Sequence, residues 1–203
     1  DNANKPGLNK ELREKLEERG AWGGLWNRSF DQVQMALLLD EYALSLGIDV
    51  LFCTMATEPI MDGGRITGVI VENKSGPQAV LAEIVIDCTG DGDIAARAGA
   101  PFEIGRSGDG VVQPMTMMFR IGGVKESYPR DDIAGWYKEL EKRADQAKLL
   151  EDVPYNYPAI IKLPRAGEAL IQWTHIRTSS GIDGDALSGA IFDGRRQIVR
   201  AME

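Results

Sequence analysis

Thr89-Gly90-Asp91-Gly92-Asp93 is the stretch whose residue types and spacing point most directly to chemistry. It follows the apolar run Ile84-Val85-Ile86 and precedes a small-residue helix expected over residues 94–99, closed by Ala100-Pro101. Glycines at a strand-to-helix turn let backbone N–H groups approach a ligand that also feels the positive end of the helix dipole. Two carboxylates in the turn would repel a bare phosphate. They suit ribose or ribityl hydroxyls better, because a carboxylate accepts hydrogen bonds from O–H groups. Asp91 or Asp93 acting as an ordinary N-cap explains the same residues.

His175 and Arg177 alternate with Ile176 at the end of an expected strand, which puts both on one face. The pair fits a carboxylate clamp with a proton donor, and more simply an exposed strand end. Asp-Gly-Asp recurs at Asp91–Asp93 and Asp183–Asp185, but neither copy continues as a calcium loop requires. With one histidine and two isolated cysteines, Cys53 and Cys88, the chain lacks zinc-ligand spacing, and no metal is expected. Both cysteines read as small buried hydrophobes of a reducing cytoplasm. Gly23-Gly24, Gly63-Gly64 and Gly122-Gly123 lack phosphate-loop spacing and read as turns or strand ends. Met115, Met117 and Met118 beside Phe119 suit core filling more than a wall for a planar cofactor. Arg195-Arg196 reads as a solvated helical face before an anion site.

The elements that must position these residues follow from periodicity. Residues 8–19 have helical spacing, with Leu8, Leu12 and Leu16 on one stripe, Asn9 as N-cap and Gly20 as stop. An aromatic loop at residues 22–26 leads to a strongly apolar helix capped by Ser29 or Asp31 and ended by Gly47, expected to be largely buried. Residues 48–55 and 83–88 read as buried strands of a parallel sheet. Between them the turns Asp62-Gly63-Gly64 and Lys74-Ser75-Gly76-Pro77 divide residues 58–82 into a three-stranded antiparallel meander. Beyond Pro101 come a glycine-rich loop at 106–110, an extended segment at 112–123, a helix at 131–150, strands at 155–163 and 168–175, and a helix from 185.

The composition limits the partners. A chain of 203 residues, 43% hydrophobic, has apolar material for one substantial core or two small ones. Its apolar runs fall far short of the roughly 18 residues a membrane span needs. A net charge of -8 argues against nucleic acid, whose affinity comes from Lys and Arg displacing counterions.

Residues 86–103, Ile-Asp-Cys-Thr-Gly-Asp-Gly-Asp-Ile-Ala-Ala-Arg-Ala-Gly-Ala-Pro-Phe-Glu, resemble the FAD-dependent oxidoreductase family of the glutathione-reductase-like flavin fold. The resemblance extends to residues 113–124, the hairpin at 62–73, Asp183-Gly184-Asp185 and Asp193-Gly194-Arg195-Arg196-Gln197, and covers most of the chain from about residue 30. It implies an α/β fold with an α+β portion: an incomplete FAD/NAD(P)-binding three-layer domain with a β-meander over residues 1–100, and part of a substrate-facing domain over 101–203. It implies FAD as cofactor, approached by Thr54 and Met55 and by Thr89, Gly90, Asp91, Gly92 and Asp93; His175 and Arg177, from their place on one strand face, are the candidates for the side of a small-molecule substrate. The family's N-terminal GxGxxG turn, which grips the pyrophosphate, and its C-terminal flavin-closing segment are not recognisable here. The chain therefore reads as an internal piece that needs the remainder of a parent chain, binding FAD weakly or not at all and inactive alone. A non-catalytic binding or assembly module on the same scaffold is the alternative, and an NAD-linked enzyme a weaker third.

Overall fold

In a computed structural model the described residues are 6–23, 29–125, 133–146, 148, 158–177 and 180–202. The chain divides into two compact units, Ile48–Val111 and Asp1–Gly47 with Val112–Glu203.

The first helix, α1 (Leu8–Glu18), has Gly7 and not Asn9 at its N-cap. It stops as the sequence suggests: Gly20 N–H donates to the Glu17 carbonyl at 2.9 Å and Ala21 N–H to that of Leu16 at 2.8 Å, the paired bonds of a Schellman motif. Strands β1 (Trp22–Gly23) and β2 (Ser29–Phe30) pair antiparallel, with the Trp22 and Phe30 rings stacked. The rest of the aromatic loop, residues 24–26, lies outside the described residues. Asp31 caps α2 (Gln32–Ser45), accepting from Val33 N–H at 2.9 Å and Gln34 N–H at 3.2 Å. Leu16, Ala21 and Leu38 form the core joining α1 to α2. Yet α2 is not largely buried: Val33, Leu37, Leu39 and Leu44 are exposed. Apolar residues are spread around the helix, whereas α1 covers a single stripe of it.

The meander is the first sheet of the other unit. Strands β3 (Met55–Asp62), β4 (Arg65–Asn73) and β5 (Gly76–Leu81) pair antiparallel in that order. Gly68 is required where β4 meets β5, since a Cβ there would lie 2.4 Å from the Val80 carbonyl oxygen. The strands expected at 48–55 and 83–88 are absent: β3 begins only at Met55, and residues 83–88 form no strand. Ile48, Val50, Leu51, Phe52, Ile84 and Ile86 are all exposed, as are Cys53 and Cys88, which corrects their expected burial. Apolar composition makes a central strand only when neighbouring strands pair its backbone, and no described strand does so here. Helix α3 (Asp93–Arg97) closes this unit, with Arg97 Nη1 donating to the Thr57 carbonyl of β3 at 2.9 Å.

The chain then returns to the unit of Asp1–Gly47 with β6 (Phe119–Ile121), α4 (Ile133–Gln146), β7 (Ala159–Lys162), β8 (Ala169–Gln172) and α5 (Gly184–Met202). The outer parts of the helix expected at 131–150, and the start of the strand expected at 155–163, lie outside the described residues. The sheet order is β6-β8-β7, all antiparallel, so every pairing among the described strands is antiparallel and the expected parallel layer is not among them. The register sorts the side chains: Phe119, Ile171 and Ile160 fall on one face and pack with Ala144, Ala169, Trp173 and Ala201. Arg120, Leu170 and Ile161 are paired on the other. Helix α5 packs at Gly194, where a Cβ would lie 3.2 Å from both Ile176 Cδ1 and Met117 Cβ. Met117 therefore fills core, while Met118 is exposed.

Candidate functional site

The turn 87–95 is built around a residue that composition did not single out. Asp87 Oδ1 accepts from Thr89 N–H at 2.9 Å and from Thr89 Oγ1 at 2.7 Å. Its Oδ2 accepts from Ile94 N–H at 3.0 Å and Ala95 N–H at 2.9 Å, and Asp93 N–H donates to Thr89 Oγ1 at 2.9 Å. One carboxylate thus ties the end of the apolar run to the start of α3. Gly92, at φ 73°, supplies the left-handed residue that lets the chain enter the helix. The bonds from Thr89 N–H, then Ala95 N–H and the Thr89 hydroxyl, hold the Asp87 carboxyl down at about 2.

This arrangement decides what the turn can receive. The N–H groups of Asp93, Ile94 and Ala95, which would greet a phosphate at a helix start, already have intramolecular acceptors. Gly90, Gly92 and Ala95 have the spacing of the relaxed GxGxxA dinucleotide turn, but an acidic side chain occupies its anion seat. N-capping falls to Asp87 and Thr89, not to Asp91 or Asp93. Asp93 stands 4.0 Å from Arg97 in an i,i+4 pair, and Asp91 is exposed with no ion-pair partner among the described residues. The N–H groups at the start of α3 are therefore not free to bind a phosphate.

Thr54 and Met55 stand at the start of β3. Thr54 Oγ1 donates to the Phe52 carbonyl at 3.0 Å and receives Asn73 Nδ2 at 3.4 Å, while Met55 is largely exposed. The Arg97–Thr57 bond links α3 to the same strand. These residues and the turn belong to one unit; His175 and Arg177 belong to the other.

Around His175 the backbone is held firmly. His175 N–H donates to Gln197 Oε1 at 2.7 Å, and Gln197 Nε2 returns a bond to the His175 carbonyl at 3.3 Å. Ile176 bridges Met115 in both directions at 2.9 Å. Buried Thr174 accepts from Met117 N–H at 2.6 Å and donates to its carbonyl at 3.0 Å. The His175 side chain is half-buried and that of Arg177 exposed. Gln197 and Thr174 set this segment's position, and neither is legible from spacing, since their partners lie 22 and 57 residues away.

Among the described residues no group of three or more His, Cys, Asp or Glu could hold a metal ion, and no helix is long and apolar enough to cross a membrane. No curated protein and no solved structure matches the chain. The model of one family, FAD dependent oxidoreductase, matches residues 2–203. That match takes in both the turn held by Asp87 and the segment held by Gln197, and the chain belongs to the FAD dependent oxidoreductase family.

Proposed function

We propose that this chain serves hydride or electron-pair transfer between FAD and a small-molecule substrate, with Thr89, Gly90, Asp91, Gly92 and Asp93 contacting the cofactor's hydroxyl-bearing region. FAD, when bound, supplies the redox chemistry; the protein supplies position and electrostatics. The observation that carries the reading is the turn itself: a pre-formed loop, inside a sequence matched throughout by a flavoprotein family, whose Asp91 carboxylate, without an ion-pair partner among the described residues, can accept hydroxyl donors. Thr54 and Met55, opening the strand to which α3 is bonded, add a second contact, and His175 and Arg177 face the substrate. Residues 1–100 contribute to an FAD-binding domain and residues 101–203 to a substrate-facing one.

Because Asp87 fills the anion seat of the turn, the turn offers FAD no pyrophosphate contact, and binding through it alone is expected to be weak. Hydrogen exchange with and without FAD tests the assignment. Added protection at residues 89–93 and at 54–55 is expected. Flavin-dependent protection confined to other segments would contradict it.

A further inference from the structure

The unit containing the β6-β8-β7 sheet has a cleft of about 440 Å³ on the sheet face opposite its core. Met118, Ile161 and Leu170 give it an apolar floor. The register explains why: Arg120, Leu170 and Ile161 are paired neighbours, so their side chains leave the sheet on the side away from Phe119, Ile171 and Ile160. The segment 29–32 forms another wall, held to β7 by Ser29 Oγ donating to the Lys162 carbonyl at 2.6 Å.

Four charged residues line the same cleft, two of each sign. Arg120 pairs with Glu168, and Arg165 Nε with Asp31 Oδ2 at 2.8 Å. The turn between β7 and β8 carries one member of each pair, its backbone closed by Glu168 N–H donating to the Arg165 carbonyl at 3.3 Å. Neither pair exhausts its members: a guanidinium has five N–H donors and a carboxylate about four acceptor positions. The Arg165 side chain is 58% exposed, which leaves its outer donors open to a ligand. We propose that this cleft binds a small apolar zwitterion of the α-amino acid class, its carboxylate on Arg165, its ammonium on Glu168 and its side chain on Met118, Ile161 and Leu170.

A zwitterion adds two charge-assisted bonds without breaking either pair inside the protein. A simple carboxylate meets Arg165 but is repelled by Glu168, and a simple amine meets Glu168 but is repelled by Arg165. The two-signed lining thus selects against both. The site does not depend on FAD.

The test is calorimetric titration of the full chain near pH 7, without FAD, with L-norleucine, hexanoate and hexylamine. Norleucine should bind saturably and about ten-fold tighter than either singly charged analogue. Exposed Met118, replaced in Met118→Trp, should close the cleft and abolish binding with the fold intact by circular dichroism. Glu168→Gln should weaken norleucine while strengthening hexanoate, a reversal that a merely structural role would not produce. Norleucine binding no tighter than its analogues, binding unchanged in Met118→Trp, or no saturable binding would overturn the proposal.

Discussion

At the scale of single residues, Asp87 organises the turn that the proposed function depends on. Asp87→Ala removes the acceptor of four hydrogen bonds at once. The amides of Thr89, Ile94 and Ala95 should lose exchange protection while those of β4 keep theirs. Its titration has a definite sign. The folded carboxyl lies at about 2, below its ordinary value of 3.8, so its contribution to stability is fully present above the ordinary value. That contribution is lost as pH falls from about 4 through about 2. A carbon-detected NMR titration should place the Asp87 midpoint near the lower figure and that of Asp87 in urea near the upper one. The sequence made Asp91 and Asp93 conspicuous through their glycines, yet Asp87 is the residue that caps. An aspartate two residues before a bonded N–H is a recognisable local signal, but its reach to Ala95, eight residues on, exists only once the turn has closed.

At the scale of elements, contact between pieces decides more than the content of any one piece. Leu38 is the single buried side chain of α2 and meets Leu16 and Ala21. Leu38→Ala should cost about 2–5 kcal/mol in urea unfolding, whereas Leu44→Ala, on an exposed side chain, should fall within about 0.5 kcal/mol. Gly194→Val brings new atoms against Ile176 and Met117, and overpacking of that kind costs about 1–3 kcal/mol. The meander was legible because Asp62-Gly63-Gly64 and Ser75-Gly76 punctuate alternating residues, so turn chemistry and strand pattern agree. The strands expected at 48–55 and 83–88 are absent although their sequence suggests them, because apolar content shows that a segment favours burial and says nothing about whether a neighbour is present to pair it. The segments 115–119 and 173–176 lie too far apart in sequence for either to announce their bridge. The Gln197 clasp on His175 was hidden for the same reason.

At the scale of the whole molecule, the two units differ in how much apolar surface they bury. Leu16, Ala21, Leu38, Ala144, Ala169, Ile171, Trp173, Ile176 and Ala190 are buried in the unit spanning both ends of the chain, whereas Val71 and Ile94 are the buried apolar residues described in Ile48–Val111. The smaller unit should therefore exchange amide hydrogens faster and gain the most protection from a bound cofactor, since a ligand stabilises what it binds in proportion to occupancy. The cofactor contacts proposed at residues 54–55 and 89–93 lie in this smaller unit, which is where failure of the flavin proposal would be visible. The decisive measurement is an FAD fluorescence titration of the wild-type chain and of the Asp91→Ala/Asp93→Ala double variant. The account predicts weak, saturable binding to the wild type and about ten-fold weaker binding to the variant. Equal affinities for the two proteins, or no saturable binding to the wild type, would contradict it.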